Sequence, residues 1–190
     1  MSSEQANSTV ATYGRAFALG AATGLRSATA LAVMSLAAQP ERPRPLMRGI
    51  EQPWSRLATR PALYLTGIFA LGEYVGDKLP ATPSRTAPVP LGGRIAFGSL
   101  VGAAVSRAGG QSPAIGAALG ALGALGGSFA GYAYRHAIAT RTKLPDLPFA
   151  LLEDAAAIGI SYLALQDAFT DESEAAPPPA AERDATRVQR

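Results

Sequence analysis

The chain has 190 residues, enough for one domain, with 48% apolar and only 16% charged side chains, well below the roughly 25% charge of a water-soluble domain. A net charge of +3, spread over several loops without interleaved aromatics, argues against a nucleic-acid surface. The absence of cysteine excludes disulfides, thiol chemistry and cysteine-held metals. The composition predicts an all-α fold, a multi-pass transmembrane bundle over 14–168, between a polar segment at 1–13 and a tail at 169–190 whose acidic and Pro/Ala-rich composition predicts disorder.

The first apolar segment, Ala16–Ala38, contains a single charge, Arg26, and is expected to be one retained helix. A signal peptide cleaved near Ser35-Leu36-Ala37 is the lesser reading, because fifteen residues precede the segment and Arg26 interrupts it. Gln39–Pro61 follows with Arg42, Arg44, Arg48, Arg56 and Arg60, five prolines and Trp54, a composition suited to the headgroup level of a bilayer. Helix two is expected at Ala62–Gly76, holding Glu73, and helix three at Leu91–Ser106, holding Arg94.

Pro113–Tyr134 is the plainest membrane segment: twenty-two residues without a charge, long enough at 1.5 Å per residue to cross a core of roughly 30 Å. Gly116, Gly120, Gly123, Gly127 and Gly131 line one face at GxxxG-like spacing, which lets helices approach closely in lipid. The stretch lacks the preceding strand and following Lys-Ser/Thr of a phosphate loop. Helix five, Leu147–Gln166, carries Glu153 and Asp154. Five helices is the best count, within a range of four to six. Lys78-Leu79-Pro80-Ala81-Thr82-Pro83 is echoed by Lys143-Leu144-Pro145-Asp146-Leu147-Pro148, which suggests a two-helix repeat.

With five crossings the first helix enters from the face that carries Lys78 and Lys143. That face then holds Arg15, Lys78, Arg85, Arg94, Arg135, Arg141 and Lys143, against six arginines at the other, and the positive-inside rule does not choose.

Charges inside a membrane segment are disfavoured by about 2.5–3.5 kcal/mol each at the centre, so each suggests a pairing or functional role. Arg26, Glu73, Asp77, Lys78, Arg85, Arg94, Glu153 and Asp154 are the expected lining of a polar cavity, with Glu153 or Asp154 as the partner of Arg26 and Glu73 next. The bland alternative is a structural ion pair, with the remaining charges snorkelling to headgroups. No catalytic residue stands out. His136, the only histidine, lies in a basic stretch, and Ser84 has no evident base. Four carboxylates near one face could hold Mg²⁺ for lipid-headgroup chemistry, although the spacing matches no such enzyme and no cofactor is implied.

Three stretches resemble a known family: Gly24-Leu25-Arg26-Ser27-Ala28-Thr29-Ala30, Gly72 to Thr86 with Gly-Glu-Tyr-Val-Gly-Asp-Lys-Leu-Pro-Ala-Thr-Pro-Ser-Arg-Thr, and Glu153-Asp154. Over about 14–168 the chain is similar to the bacterial membrane proteins of the domain-of-unknown-function 4126 family. The resemblance implies an integral protein of the bacterial inner membrane and no defined activity. The reading is therefore a membrane protein that binds or passes a small polar solute or ion. Its alternatives are a scaffold, or a homo-oligomer, joined through glycine faces, and a Mg²⁺-dependent lipid enzyme.

Overall fold

The computed structural model describes residues 3–76, 87–141 and 147–169, all helix, turn or coil, with no strand among them. The helices are α1 (Ser3–Leu25), α2 (Thr29–Ala37), α3 (Arg60–Gly76), α4 (Pro88–Ala108), α5 (Pro113–Arg141) and α6 (Leu147–Ala164), with short 3-10 turns at Trp54–Ala58 and Gln166–Ala168. Proline and glycine set several boundaries. Pro88 opens α4 after an extended Ala87, where its missing N–H costs nothing. At the other end Gly110 takes φ +70°, and the Gln111 N–H returns to the Ser106 carbonyl at 2.8 Å, closing the turn into α5.

The expected first helix, Ala16–Ala38, is two helices, which raises the count among the described residues to six. It also turns back on itself. Contacts at both ends fix the directions. Arg15 pairs with Asp167 and Arg26 with Asp154, so α1 runs antiparallel to α6. Thr29 meets Tyr74 while Gln39 meets Thr59, so α2 runs antiparallel to α3. The break at Arg26–Ala28 is thus the tip of a helical hairpin, and Gln39 returns to the end of the bundle from which α1 set out. This corrects the single-crossing reading of helix one, which placed Arg15 and the Arg42–Arg60 loop at opposite faces. A one-dimensional apolar run cannot distinguish a crossing from a hairpin of the same length. The Lys78–Pro83 motif and most of its echo at 143–148 lie outside the described residues.

Glycine builds the central seam. A Cβ on Gly20 would strike the Gly120 carbonyl, and one on Gly127 would strike Ala21. Beside these contacts, Gly116 and Gly120 abut Gly102 and Gly98 of α4. Three backbones therefore approach as closely as only glycine permits, the packing that holds helices together where lipid removes the hydrophobic drive. Gly126, one position off the seam, faces open space, whereas Gly131 is buried beyond it.

The outside is as apolar as the inside. Tyr64, Leu65, Ile68, Phe69, Leu71 and Val75 of α3 are each at least 60% exposed, and Leu122, Phe129, Leu151, Leu152 and Leu163 extend that surface over α5 and α6. The interior is rich in Ala, Gly, Ser and Thr around Leu19, Met34 and Val101, with Arg26, Arg94, Glu153 and Asp154 buried among them. Water would not tolerate such an exterior, and a bilayer requires it. Three helices, α4, the Pro113–Ile138 part of α5, and α6, are long and apolar enough to cross a membrane.

Candidate functional site

Reversing a helix inside the bundle leaves carbonyls at the end of α1 and N–H groups at the start of α2 without helical partners, and in lipid each must be satisfied by protein. A facing ion pair does this. The Glu73 carboxylate accepts from the Ser27 N–H at 2.8 Å and the Ala28 N–H at 3.0 Å. Arg94 donates to the Gly24 carbonyl and, at 3.1 Å, to that of Leu25, while Ser128 Oγ also donates to Gly24 at 3.2 Å. The two side chains meet, Arg94 Nη2 to Glu73 Oε1, at 3.3 Å. The signs match the helix ends: an anion at the positive start of α2, a cation at the negative end of α1.

The second pair lies beside the first. Arg26, fully buried, places Nε 2.5 Å from Asp154 Oδ1, and its guanidinium carbon lies 5.7 Å from the centre of the Tyr74 ring. The Tyr74 hydroxyl in turn meets Thr29 Oγ1 at 2.9 Å. Tyr74 thus links Arg26 to the first turn of α2.

Glu73 stands three residues from the end of α3 at Gly76, Arg94 six from Pro88, and Asp154 seven from Leu147. The tip therefore lies about 5–10 Å below those three helix ends. On α5 the same level is Ser128, about 20 Å from either end of that longer helix.

Of the residues expected to line a cavity, Arg26, Glu73, Arg94 and Asp154 come together. Glu153 is buried next door and borders an almost wholly apolar pocket of about 270 Å³ formed with Leu25, Ala130, Gly131, Tyr134, Leu152 and Ala156. Asp77, Lys78 and Arg85 lie outside the described residues. Three expectations change. Arg26 sits at a helix break rather than in mid-helix, and Glu73, ranked next after the α6 acids as its partner, is engaged by backbone and Arg94. Arg94, counted with the basic residues at one membrane face, is instead 97% buried. The sequence reading missed Tyr74, Thr29 and Ser128, for which adjacency to Glu73 and to the Arg26 stretch offered the only hints. His136 is exposed and stacks on Tyr132, one turn away on α5.

The family comparison converges on the same span. No curated protein and no solved structure matches the chain. The family model described as "Domain of unknown function (DUF4126)" matches residues 14–168, from α1 to the last turn after α6, and this helical membrane protein belongs to that family.

Proposed function

We propose that the protein binds or passes a small polar solute or ion at the hairpin tip, with Glu73, Arg94, Arg26 and Asp154 as the polar lining. The observation that carries this reading is the broken helix whose exposed ends are met by charged side chains within an apolar bundle. A hydrophobic plug would hold two helices together with less desolvation of charge. Broken helices at membrane depth are the places where backbone groups become available to an ion or polar group, because only there is the internal hydrogen-bond ladder open. Asp77, Lys78, Arg85 and Glu153 belong to the same proposed path.

The scaffold reading has less to draw on, since Gly116, Gly120, Gly123 and Gly127 face α1 and α4 of the same chain. A Mg²⁺-dependent enzyme would need convergent carboxylates, whereas Glu73 and Asp154 each face a guanidinium and no three His, Asp or Glu gather among the described residues.

Proteoliposomes test the proposal. Purified protein is screened for flux of potassium, chloride, protons and small carboxylates and amines, beside a Glu73→Gln/Arg94→Gln variant shown to be folded. Flux of at least one probe above empty liposomes, reduced in the variant, is expected. Flux equal to empty liposomes for every probe, or unchanged in the variant, defeats the proposal.

A further inference from the structure

A second site lies at the opposite end of the bundle from the hairpin tip. There the chain leaves α2, loops outward and re-enters at α3, enclosing a cavity of about 410 Å³ lined by Gln39, Glu41, Arg42, Arg60, Leu63 and Tyr64, among others. Its wall combines charged side chains with apolar ones. Glu41 and Arg42 come from the loop after α2, and Arg60 opens α3 one turn before Leu63 and Tyr64. Leu63 and Tyr64 begin the lipid-exposed face of α3, which continues through Leu65, Ile68 and Phe69.

Arg42 is prepared for a ligand. Its Nε donates to the Leu36 carbonyl at 3.3 Å, and its guanidinium carbon lies 4.9 Å from the centre of the Phe169 ring. Held in these two ways, the fork loses little freedom on binding, and its terminal nitrogens carry no hydrogen bond among the described residues. Arg60, also lining the cavity, is tied to Glu41 at 2.9 Å, with both side chains more than 60% exposed. A pair so exposed is weak and easily exchanged for another anion. Arg44 and Arg56 add positive charge on the same loop.

The geometry points to a binding site for the phosphate headgroup of an anionic phospholipid, with Arg42 and Arg60 on the phosphate and an acyl chain along Leu63, Tyr64 and the outer face of α3. Two features select a lipid over a soluble phosphate. The apolar wall continues without interruption into the bilayer-facing surface, and the cavity lies at the level where α3 begins, so headgroup and chain would each meet their own chemistry. The volume falls within the ordinary range of small-ligand sites.

Binding can be measured on the full chain in detergent micelles by the rise in melting temperature with added phosphatidylglycerol, phosphatidylcholine or inorganic phosphate. Phosphatidylglycerol should half-saturate at about tenfold lower concentration than phosphatidylcholine, and phosphate should give no shift at comparable concentrations. Arg42→Gln and Arg60→Gln should each weaken the phosphatidylglycerol response by about fivefold, while Arg48→Gln, on the same loop but outside the cavity, leaves it within about twofold. Arg60, at the surface, serves as the readout if Arg42→Gln does not fold. Equal responses to the two lipids, a loss in Arg48→Gln as large as in Arg60→Gln, or stabilisation by inorganic phosphate matching that by lipid would each overturn the assignment.

Discussion

Glu73 accepts the Ser27 N–H at 2.8 Å across 46 residues of sequence, doing for the start of α2 what a capping side chain does locally in most helices. Glu73→Ala should therefore leave two backbone donors without their acceptor and the buried Arg94 without its facing carboxylate, a loss of about 3–5 kcal/mol. Thermal unfolding in detergent should show it as a large drop in midpoint. Adding Arg94→Ala should recover part of the loss, and a double variant as unstable as the sum of the singles would dismiss the coupling.

Arg26 and Asp154 form an independent case. Arg26→Ala strands a buried carboxylate, and Asp154→Asn on top of it removes that stranded charge. The double variant should melt higher than Arg26→Ala alone. Glu153→Gln in place of Asp154→Asn should help less, because it leaves the Asp154 carboxylate that faces Arg26 in place.

Size alone should separate the glycines of α5. Leucine at 120 or 127 must displace the backbone of α4 or α1, whereas at 126 it enters open space. Gly120→Leu and Gly127→Leu should each reduce folded yield severely, with Gly126→Leu close to the parent in the same melting assay. Indistinguishable curves for the three would remove the seam as a source of stability.

The hairpin makes a statement about sidedness that a single crossing contradicts. Since the chain has no cysteine, single substitutions report cleanly. Thr9→Cys on α1 and Arg44→Cys after α2 should react with a membrane-impermeant maleimide from the same side, and His136→Cys from the other. With Arg15 moved to the end that holds Arg42 to Arg60, and Arg94 buried in its ion pair, the positive-inside rule puts that end in the cytoplasm. In intact cells, His136→Cys should thus be labelled and Arg44→Cys only after permeabilisation. Labelling of Thr9→Cys and Arg44→Cys from opposite sides would restore the single span.

Acid should loosen the loop after α2. A hydrogen bond from its own backbone, and then the Arg60 side chain, hold the Glu41 carboxyl below its ordinary value. A lowered folded value means the contribution is present above the unfolded carboxylate range and disappears as pH falls through the folded one. Exposure keeps the effect small, so it is best followed at Glu41 itself by NMR titration, where a midpoint at or above that of a model glutamate is the contrary result.

Membrane placement and the glycine seam were legible because both are written in composition and spacing. Twenty-two uncharged residues and five glycines on one face state their own surroundings. Four members of the expected charged cluster, Arg26, Glu73, Arg94 and Asp154, come together, as the cost of burying a charge in lipid suggests. The wiring of the cluster was not legible. Whether Arg26 meets Asp154 or Glu73 depends on where α1 stops, and no proline or glycine marks that stop: Leu25-Arg26-Ser27-Ala28 would pass as helix in any local reading. The break is maintained by Glu73 and Arg94, which lie 46 and about 70 residues away, and such tertiary capping leaves no trace in local propensity.

The hairpin also imposes an order of assembly. α1 and α2 precede in sequence every side chain that satisfies their tip: Glu73, then Arg94, then Ser128, then Asp154. A chain made from its amino end carries an open helix break until Glu73 and Arg94 have emerged, and Arg26 meets Asp154 only when α6 follows. During that interval this segment has no stable place in the hydrocarbon interior, and it must wait at the interface or in the protein-conducting machinery while the later helices insert. The oldest part of the nascent protein is therefore the last to settle, and a truncation before Asp154 would strand the beginning of the chain as surely as its end.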